Sequence, residues 1–379
     1  MSIYLDNAAT TPLDPEVFEA MKPFLLEDFG NPSSTHSHGR KVRSAIEMGR
    51  KKIAEILNCT PGEIIFTSGG TEADNAIIVG SIHTYNIKHA ISSAIEHHAV
   101  SHTLELMDKE GVIKLHLVKL DEVGNIDYGD LERLLKAYPG ALVSLMHANN
   151  EIGNLLDIDR VAELVNHYNG YFHSDTVQSV GHYRHDLKKL KIHAMTAAAH
   201  KFHGPKGVGF MYINKEKKIQ PFVHGGVQER NMRGGTENTF GIVGLVKAME
   251  IAYQDLDHHT EYIKGIKAKM IELLKKNISG ITFNGASGDL EHSLYTVLNA
   301  SFPESEENEM LLFNLDMCGI SASGGSACSS GVATGSHVLN TLYPDSKRGA
   351  VRFSFSRFTK GEDIEFTVEK LVDLFKVIA

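Results

Sequence analysis

With 379 residues, 42% of them hydrophobic, the chain can bury a large core and has the length for two domains. Its formal net charge of −9 is dispersed, with no basic stripe to follow a phosphate backbone, and no apolar run is long enough to span a bilayer. Nucleic-acid binding and a membrane-spanning role are therefore excluded as expectations. Residues Met1 to Pro12 lack a cationic start and an apolar stretch, which predicts a cytoplasmic protein whose partners are small molecules or other proteins.

A short strand over Ile3–Leu5 leads into a small polar loop, Asp6–Pro12. Asp14 as N-cap and Pro15 at the first helical position open a helix toward Leu26. The Phe29–Gly39 stretch is rich in turn formers; His36 and His38 within it lack the Cys or acidic partner that would complete a metal set. Val42, Ile46, Ile53, Ile56 and Leu57 then recur at roughly helical spacing and predict a core-facing helix from Arg40. Next, the β-branched run Ile64–Thr67 passes through Ser68-Gly69-Gly70-Thr71 into a helical segment. Backbone amides and the Thr71 hydroxyl would there point at one spot suited to a phosphate. No GxxxxGK[ST] is present, so this is not a nucleotide P-loop, and alone such a turn is more often only a turn.

Strand-like stretches at His89–Ile95, Val112–Val118, Ala141–Met146, Gly170–His173 and Ala194–Ala198 alternate with helical ones, predicting an α/β fold with a mostly parallel, doubly wound sheet. Such sheets bind ligands beyond the carboxyl ends of their strands. His97, Asn149, Asn150, Asp175 and Gln178 follow those ends, each with an ordinary reading as a cap or turn residue. Lys201 follows three alanines and a histidine and precedes a Gly-Pro turn, an open setting that suits a Schiff-base lysine and equally an ordinary exposed one. Their convergence fits one cofactor. Asp175 could keep a pyridine nitrogen protonated, Gln178 could bond the ring hydroxyl, and His97 could stack on the ring face. Gly70, Thr71 and His200 would take a phosphate and Lys201 an aldehyde, which together specify pyridoxal phosphate.

Beyond Phe240 a long helical stretch runs to Leu274. Strands follow within Ile281–Phe302, Gly319–Ala322 and Val351–Ser356, and a Thr359–Glu362 capping box precedes an amphipathic helix over Ile364–Ile378. The predicted division is a large domain over 14–255 and a small α/β domain from 1–13 and 256–379. The small domain carries a Gly/Ser-rich loop at about 322–336. Three cysteines, Cys59, Cys318 and Cys328, form neither a disulfide framework nor a CxxC pattern. Cys59 and Cys318 sit among helix-like apolar neighbours, whereas Cys328 lies in the loop.

The motifs YLDNAATTP, FGNPSSTH, FTSGGTEADN, EHHAV, HANNEIG, HSDTVQ, HKFHGPKG, RGGTEN, GGSACSSG and VRFSFSRFT run in order from Tyr4 to about Thr359. In this the chain resembles the cysteine desulfurases, of the class V aminotransferase-like branch of fold-type I pyridoxal-phosphate enzymes. The resemblance implies a large domain with a seven-stranded sheet beside a small domain. It implies that Lys201 holds the cofactor, Asp175 pairs with its ring nitrogen, Gln178 with its hydroxyl, and His97 stacks and shuttles protons. Asn31, Asn150 and Arg352 would hold the substrate carboxylate, Arg352 through its planar fork. Thr236 would reach the phosphate of the other subunit of a homodimer. The implied reaction takes L-cysteine to L-alanine, with the Cys328 thiolate receiving the sulfur as a persulfide for a sulfur-acceptor or iron–sulfur scaffold protein. A free thiol ionises near pH 8.5, so deprotonation of Cys328 needs assistance. No metal site is implied beyond transient ligation of an iron–sulfur cluster by Cys328.

A selenocysteine lyase or aminotransferase on the same cofactor site, or a catalytically idle partner in an assembly complex, are the competing readings. The chain departs from the family pattern at Ala198, where a serine hydroxyl is usual, and at Val332–Gly335 in the loop.

Overall fold

Why the chain builds one large sheet is visible in the alternation along its strands. The computed structural model describes residues 2–324 and 335–376; Cys328 and most of the Val332–Gly335 departure lie outside the described residues. In chain order the elements begin with β1 (Ile3–Tyr4), α1 (Pro15–Leu26), α2 (Ser37–Leu57), β2 (Ile64–Thr67), α3 (Gly70–Tyr85), β3 (His89–Ser92), α4 (His98–Lys109) and β4 (Lys114–Leu117). Then come α5 (Tyr128–Ala137), β5 (Leu142–Ser144), α6 (Ile158–His167), β6 (Tyr171–Asp175), β7 (Ala194–Ala198), β8 (Gly209–Ile213), α7 (Thr239–Gln254) and α8 (Leu256–Asn277). The chain closes with β9 (Thr282–Phe283), β10 (Val297–Phe302), α9 (Leu311–Met317), β11 (Ile320–Ser321), α10 (His337–Leu342), β12 (Gly349–Ser354) and α11 (Gly361–Lys376).

Seven strands form the main sheet in the order β2-β8-β7-β6-β5-β3-β4. From β7 to β4 all pairings are parallel, and β8 alone runs antiparallel to both its neighbours. Side chains alternate across it with the two-residue strand period. Val143, Phe172, Met195 and Phe210 face a core shared with α1, α2, α5, α6 and α7. Leu142, Tyr171, Ala194 and Met211 face a second core built with α3 and α4. Both faces are covered, so the central strands read as continuous apolar runs.

A separate core gathers Ile3 and Leu5 with residues from Ile263 to Leu371. Around it β12-β10-β9 form an antiparallel sheet, and β1 pairs in parallel with β11. Bridges Asp6–Ser354 and Ser323–Arg352 tie that pair to β12. The N-terminal loop is thereby held where it can reach the carboxyl ends of β6 and β7.

Several expectations change at this level, β3 stopping at Ser92 rather than Ile95 and β5 at Ser144 rather than Met146. The helix over Phe240–Leu274 is two helices meeting at Asp255, whose φ of −115° and ψ of 30° break the α pattern. The Thr359–Glu362 capping box does not form: the Thr359 hydroxyl accepts from Ser356 N (3.0 Å), while the Asp363 carboxylate accepts from Lys360 N (2.8 Å) and starts α11 there. β6 also runs two residues beyond the predicted end, so Asp175 is its last residue. No helix among the described residues is long and apolar enough to cross a membrane.

Candidate active site

Strand β7 ends at Ala198 and the chain makes one tight turn, Ala199–Lys201, that turns the lysine back over the sheet edge. There the N-terminal loop meets it. Thr11 donates through both its amide and its hydroxyl to the His200 carbonyl, each at 2.9 Å, and the Lys201 ammonium donates to the carbonyls of Ala8 (2.6 Å) and Ala9 (2.9 Å). Gln178 donates its amide to the same Ala8 carbonyl at 2.9 Å.

These groups line a cavity of about 200 Å³. Of the sequence-predicted residues, Gly70, Thr71, His97 and Asn150 line it, as do Asp175, Gln178, His200, Lys201 and Arg352. Asn31 and Thr236 do not. The Asn31 carboxamide accepts from Ser33 N (2.9 Å), and Thr236 lines a different cleft beside Arg233 and Glu237. Cys328 lies outside the described residues. His36, set aside as a metal ligand, caps α2 by accepting from Gly39 N at 3.3 Å.

The electrostatics follow from burial. Asp175 accepts from Val177 N (2.9 Å) and is pushed up to about 6, first by desolvation and then by Asp74, with His97 opposing. Sequence reasoning missed Asp74, one helical turn beyond Gly70 on the same face of α3; it lines the cavity and burial pushes it up to about 7. It also missed Glu96, buried with its Oε1 accepting from Met146 N (3.0 Å) and its acidity weakened well beyond the usual carboxylate range by desolvation. The 3.6-residue period could have found Asp74. Nothing in the local sequence signals Glu96.

His97 caps α4, its Nδ1 accepting from Ala99 N at 3.1 Å. That bond places the ring proton of the neutral imidazole on Nε2. Burial lowers its basicity, Asp175 opposes this, and Lys201 adds to it. His200 is lowered to about 4, by burial first and Lys201 second, so it offers a hydrogen bond and no charge. Arg352 is 1% exposed on β12. Its Nη1 donates to the Asn150 carbonyl (3.0 Å) and its Nη2 to Asp6 (2.9 Å), while its buried Nε has no partner among the described residues. The cavity wall also carries Glu151, which accepts a hydrogen bond from Ser336, and His337, whose Nε2 meets the Glu96 carbonyl at 2.9 Å. Both were missed, because they lie far apart in sequence and meet only in the fold.

This donor set fits a pyridoxal phosphate. Gly69, at φ +154° with no side-chain cap, leaves the first amides of α3 open for an anion. A Cβ on Gly70 would stand 2.7 Å from Val177 Cγ2, so only glycine lets that helix end come so close to the cavity wall. An amine, a buried carboxylate and a guanidinium with an unpaired donor complete the cradle.

A family profile described as aminotransferase class-V matches residues 3–366. The chain is 42% identical to a cysteine desulfurase IscS of Dictyoglomus turgidum over all of this chain and 96% of that one. It is 41% identical to a cysteine desulfurase IscS of Clostridium botulinum over 99% of this chain and 94% of that one. A solved NifS-like protein superposes over the whole of both chains with a TM-score of 0.91 at 34% identity. The chain is thus a member of the aminotransferase class-V family of pyridoxal-phosphate enzymes and, within it, of the cysteine desulfurases.

Proposed function

We propose that the protein takes sulfur from L-cysteine, releases L-alanine, and leaves the sulfur as a persulfide on Cys328 for an acceptor protein that serves iron–sulfur or other sulfur-cofactor assembly. The observation that carries this is one cavity holding Lys201, Asp175 and Arg352 together at the sheet's carboxyl edge. Bound pyridoxal phosphate supplies an electron sink for the substrate's Cα bonds.

Lys201 Nζ would hold the cofactor through its aldehyde, and the same amine, lining the cavity, would be the base for the substrate's Cα proton. Asp175 would pair with the cofactor's ring nitrogen and favour its protonated form, a role that would in turn favour the ionised carboxylate. The open amides of Gly70 and Thr71, with neutral His200, hold the phosphate, and Gln178 bonds the ring hydroxyl. Arg352 takes the substrate carboxylate beside Asn150. His97 carries its proton at Nε2 and so acts as a donor; with Nδ1 committed to Ala99 N it is a poor acceptor for the Cys328 thiol proton. The substrate amine is then the better acceptor.

A homodimer accounts for Asn31 and Thr236. Neither lines this chain's cavity, yet each borders an apolar face. Leu26 and Phe29 are 69% and 75% exposed near Asn31, and Phe240 is exposed near Thr236 on α7, which packs on α1 and α2. A second copy on that face would bring both residues to the partner's cofactor. The reading places the enzyme in the cytoplasm.

The test is to incubate the holoenzyme with L-cysteine and a reductant, quantifying alanine and sulfide beside Cys328→Ala. Equal alanine and sulfide from the parent enzyme and neither from the variant is the expected result. Turnover that survives the substitution would move the reading to a lyase or transaminase.

A further inference from the structure

Helix α9 buries Leu311 and Leu315 in the smaller core and turns an apolar stripe outward. Met310, Phe313 and Met317, three and four residues apart, are 47%, 55% and 71% exposed. Leu312, on the same short helix but about 100° around it from Phe313 with Asp316 between, adjoins the last described residue before the loop that carries Cys328: a Cβ built on Gly324 would lie 3.1 Å from Leu312 Cδ1. Ser323, one residue earlier, is pinned to the wall of the site by backbone bonds with Arg352, the shorter at 2.7 Å. Four Cα–Cα steps separate Gly324 from Cys328, at most about 14 Å. The stripe therefore shares a two-turn helix with the residue that meets Gly324, within reach of the chain that leads to Cys328, and it is remote in sequence and element from the α1, α2 and α7 face assigned to the second copy.

Charge identifies what fits it. Glu309 and Asp316 are exposed beside the stripe, and the stretch from Pro303 to Met310 carries Glu304, Glu306, Glu307 and Glu309. Of the basic groups nearby, Lys347 is engaged with Glu304 at 3.9 Å. Two of the three stripe residues are methionines, whose flexible side chains adapt to differing partner surfaces.

From this we infer that the α9 stripe is the docking surface for the sulfur acceptor, a protein that presents its receiving cysteine on an apolar patch rimmed by Lys and Arg. The inference rests on the desulfurase reading above. In the step it serves, the acceptor thiolate attacks the outer sulfur of the Cys328 persulfide. The bond between that sulfur and Cys328 Sγ breaks, a new S–S bond forms on the acceptor, and Cys328 leaves as a thiolate that takes up the proton the acceptor lost. No net oxidant or reductant is needed.

The experiment loads the holoenzyme with radiolabelled sulfur from L-cysteine and offers two synthetic peptides, each with one cysteine between leucines, one flanked by lysines and one by glutamates. The lysine peptide should take sulfur at least about tenfold faster at low ionic strength, and the preference should vanish in high salt. Phe313→Ser with Met317→Ser should slow that transfer about tenfold while alanine production with a small thiol reductant is unchanged. Glu309→Lys with Asp316→Lys should reverse the peptide preference. Equal peptide rates, or no effect of either pair of substitutions, would overturn the docking surface while leaving the desulfurase reading intact. A change in dimer mass in the Phe313/Met317 variant would assign the stripe to contacts between copies and overturn it as well. Absence of alanine from the parent enzyme would overturn both readings.

Discussion

Asp175 sits among carboxyl groups that cannot all ionise together. Asp74 and Glu96 are fully buried and pushed upward mainly by desolvation, and Asp74 raises Asp175 in turn. A protonated ring nitrogen beside Asp175 would reverse that trend, which ties cofactor binding to the ionisation of this residue. Asp175→Asn removes a charge-assisted hydrogen bond of about 1.5–3 kcal/mol and should lower kcat by roughly 10- to 100-fold, with the protein still folded. Steady-state alanine production and the variant's circular dichroism check both halves. At Ala198, 1% exposed at the end of β7, a Cβ on Gly70 would come to 3.9 Å of the Ala198 Cβ, so this position adjoins the open amides of α3. Ala198→Ser should add one hydrogen bond to the phosphate. At about 1 kcal/mol it would slow cofactor dissociation roughly fivefold, and an unchanged dissociation rate would remove the residue from the site. At this scale the sequence was most legible at and just beyond strand ends: Asp175, which closes β6, and Gln178, His97 and Lys201, which come after strands, all line the cavity. Glu151 and His337 were illegible because no spacing links them to each other or to the lysine.

Among the elements, the turn Gln228–Asn231 is the least expected. Glu229, Arg230 and Asn231 all take left-handed backbone angles, with φ of 44°, 58° and 66°, at a cost of about 1–3 kcal/mol each. Glu229 holds the turn down: its carboxylate receives both Nη1 and Nη2 of buried Arg50 at 2.7 Å and Phe66 N at 2.8 Å. Arg233, five residues beyond Gln228, then pairs with Glu72 on α3 at 2.9 Å, so the strained turn also fixes the approach to Thr236. Glu229→Gln removes the buried counter-charge of Arg50, leaving it only the half-exposed Glu47 at 3.2 Å, and should lower stability by about 3–5 kcal/mol, seen as a reduced urea midpoint. The boundaries of α1 were readable because Asp14 and Pro15 mark its start chemically, and the Asp14 carboxylate does accept from Glu16 N at 2.8 Å. The break at Asp255 was not readable, since the apolar period continues through it and only the backbone departs.

For the whole molecule, burial sets the response to acid. His147, His173, His182, His185, His193, His200 and His203 are all lowered by burial to about 3 or 4. A histidine with a depressed folded pKa contributes stability above its unfolded value near 6.5 and loses it as pH falls toward the folded value. Asp74 and Asp175, raised to about 7 and 6, and Glu96 and Glu151, raised by burial, work the other way, their contribution being lost as pH rises. The histidines outnumber them, so stability should fall between pH 6.5 and 4, by about 1.4 kcal/mol per pH unit for each net proton taken up on unfolding. Urea unfolding at pH 7 and pH 5 measures this, and equal midpoints would contradict it. The doubly wound sheet was legible at this scale because its alternating strands bury both faces. A homodimer was expected from the family resemblance alone, because an apolar face such as Leu26 and Phe29 shows what is uncovered without naming the cover.

The most direct test of the account is a single turnover without reductant: holoenzyme mixed with one equivalent of L-cysteine, quenched, digested and weighed by mass spectrometry. One added sulfur atom on the peptide containing Cys328, with one alanine released per site, is the predicted result. Alanine released with that peptide unmodified, or the extra sulfur found on Cys59 or Cys318, would contradict the assignment of Cys328 as the sulfur carrier.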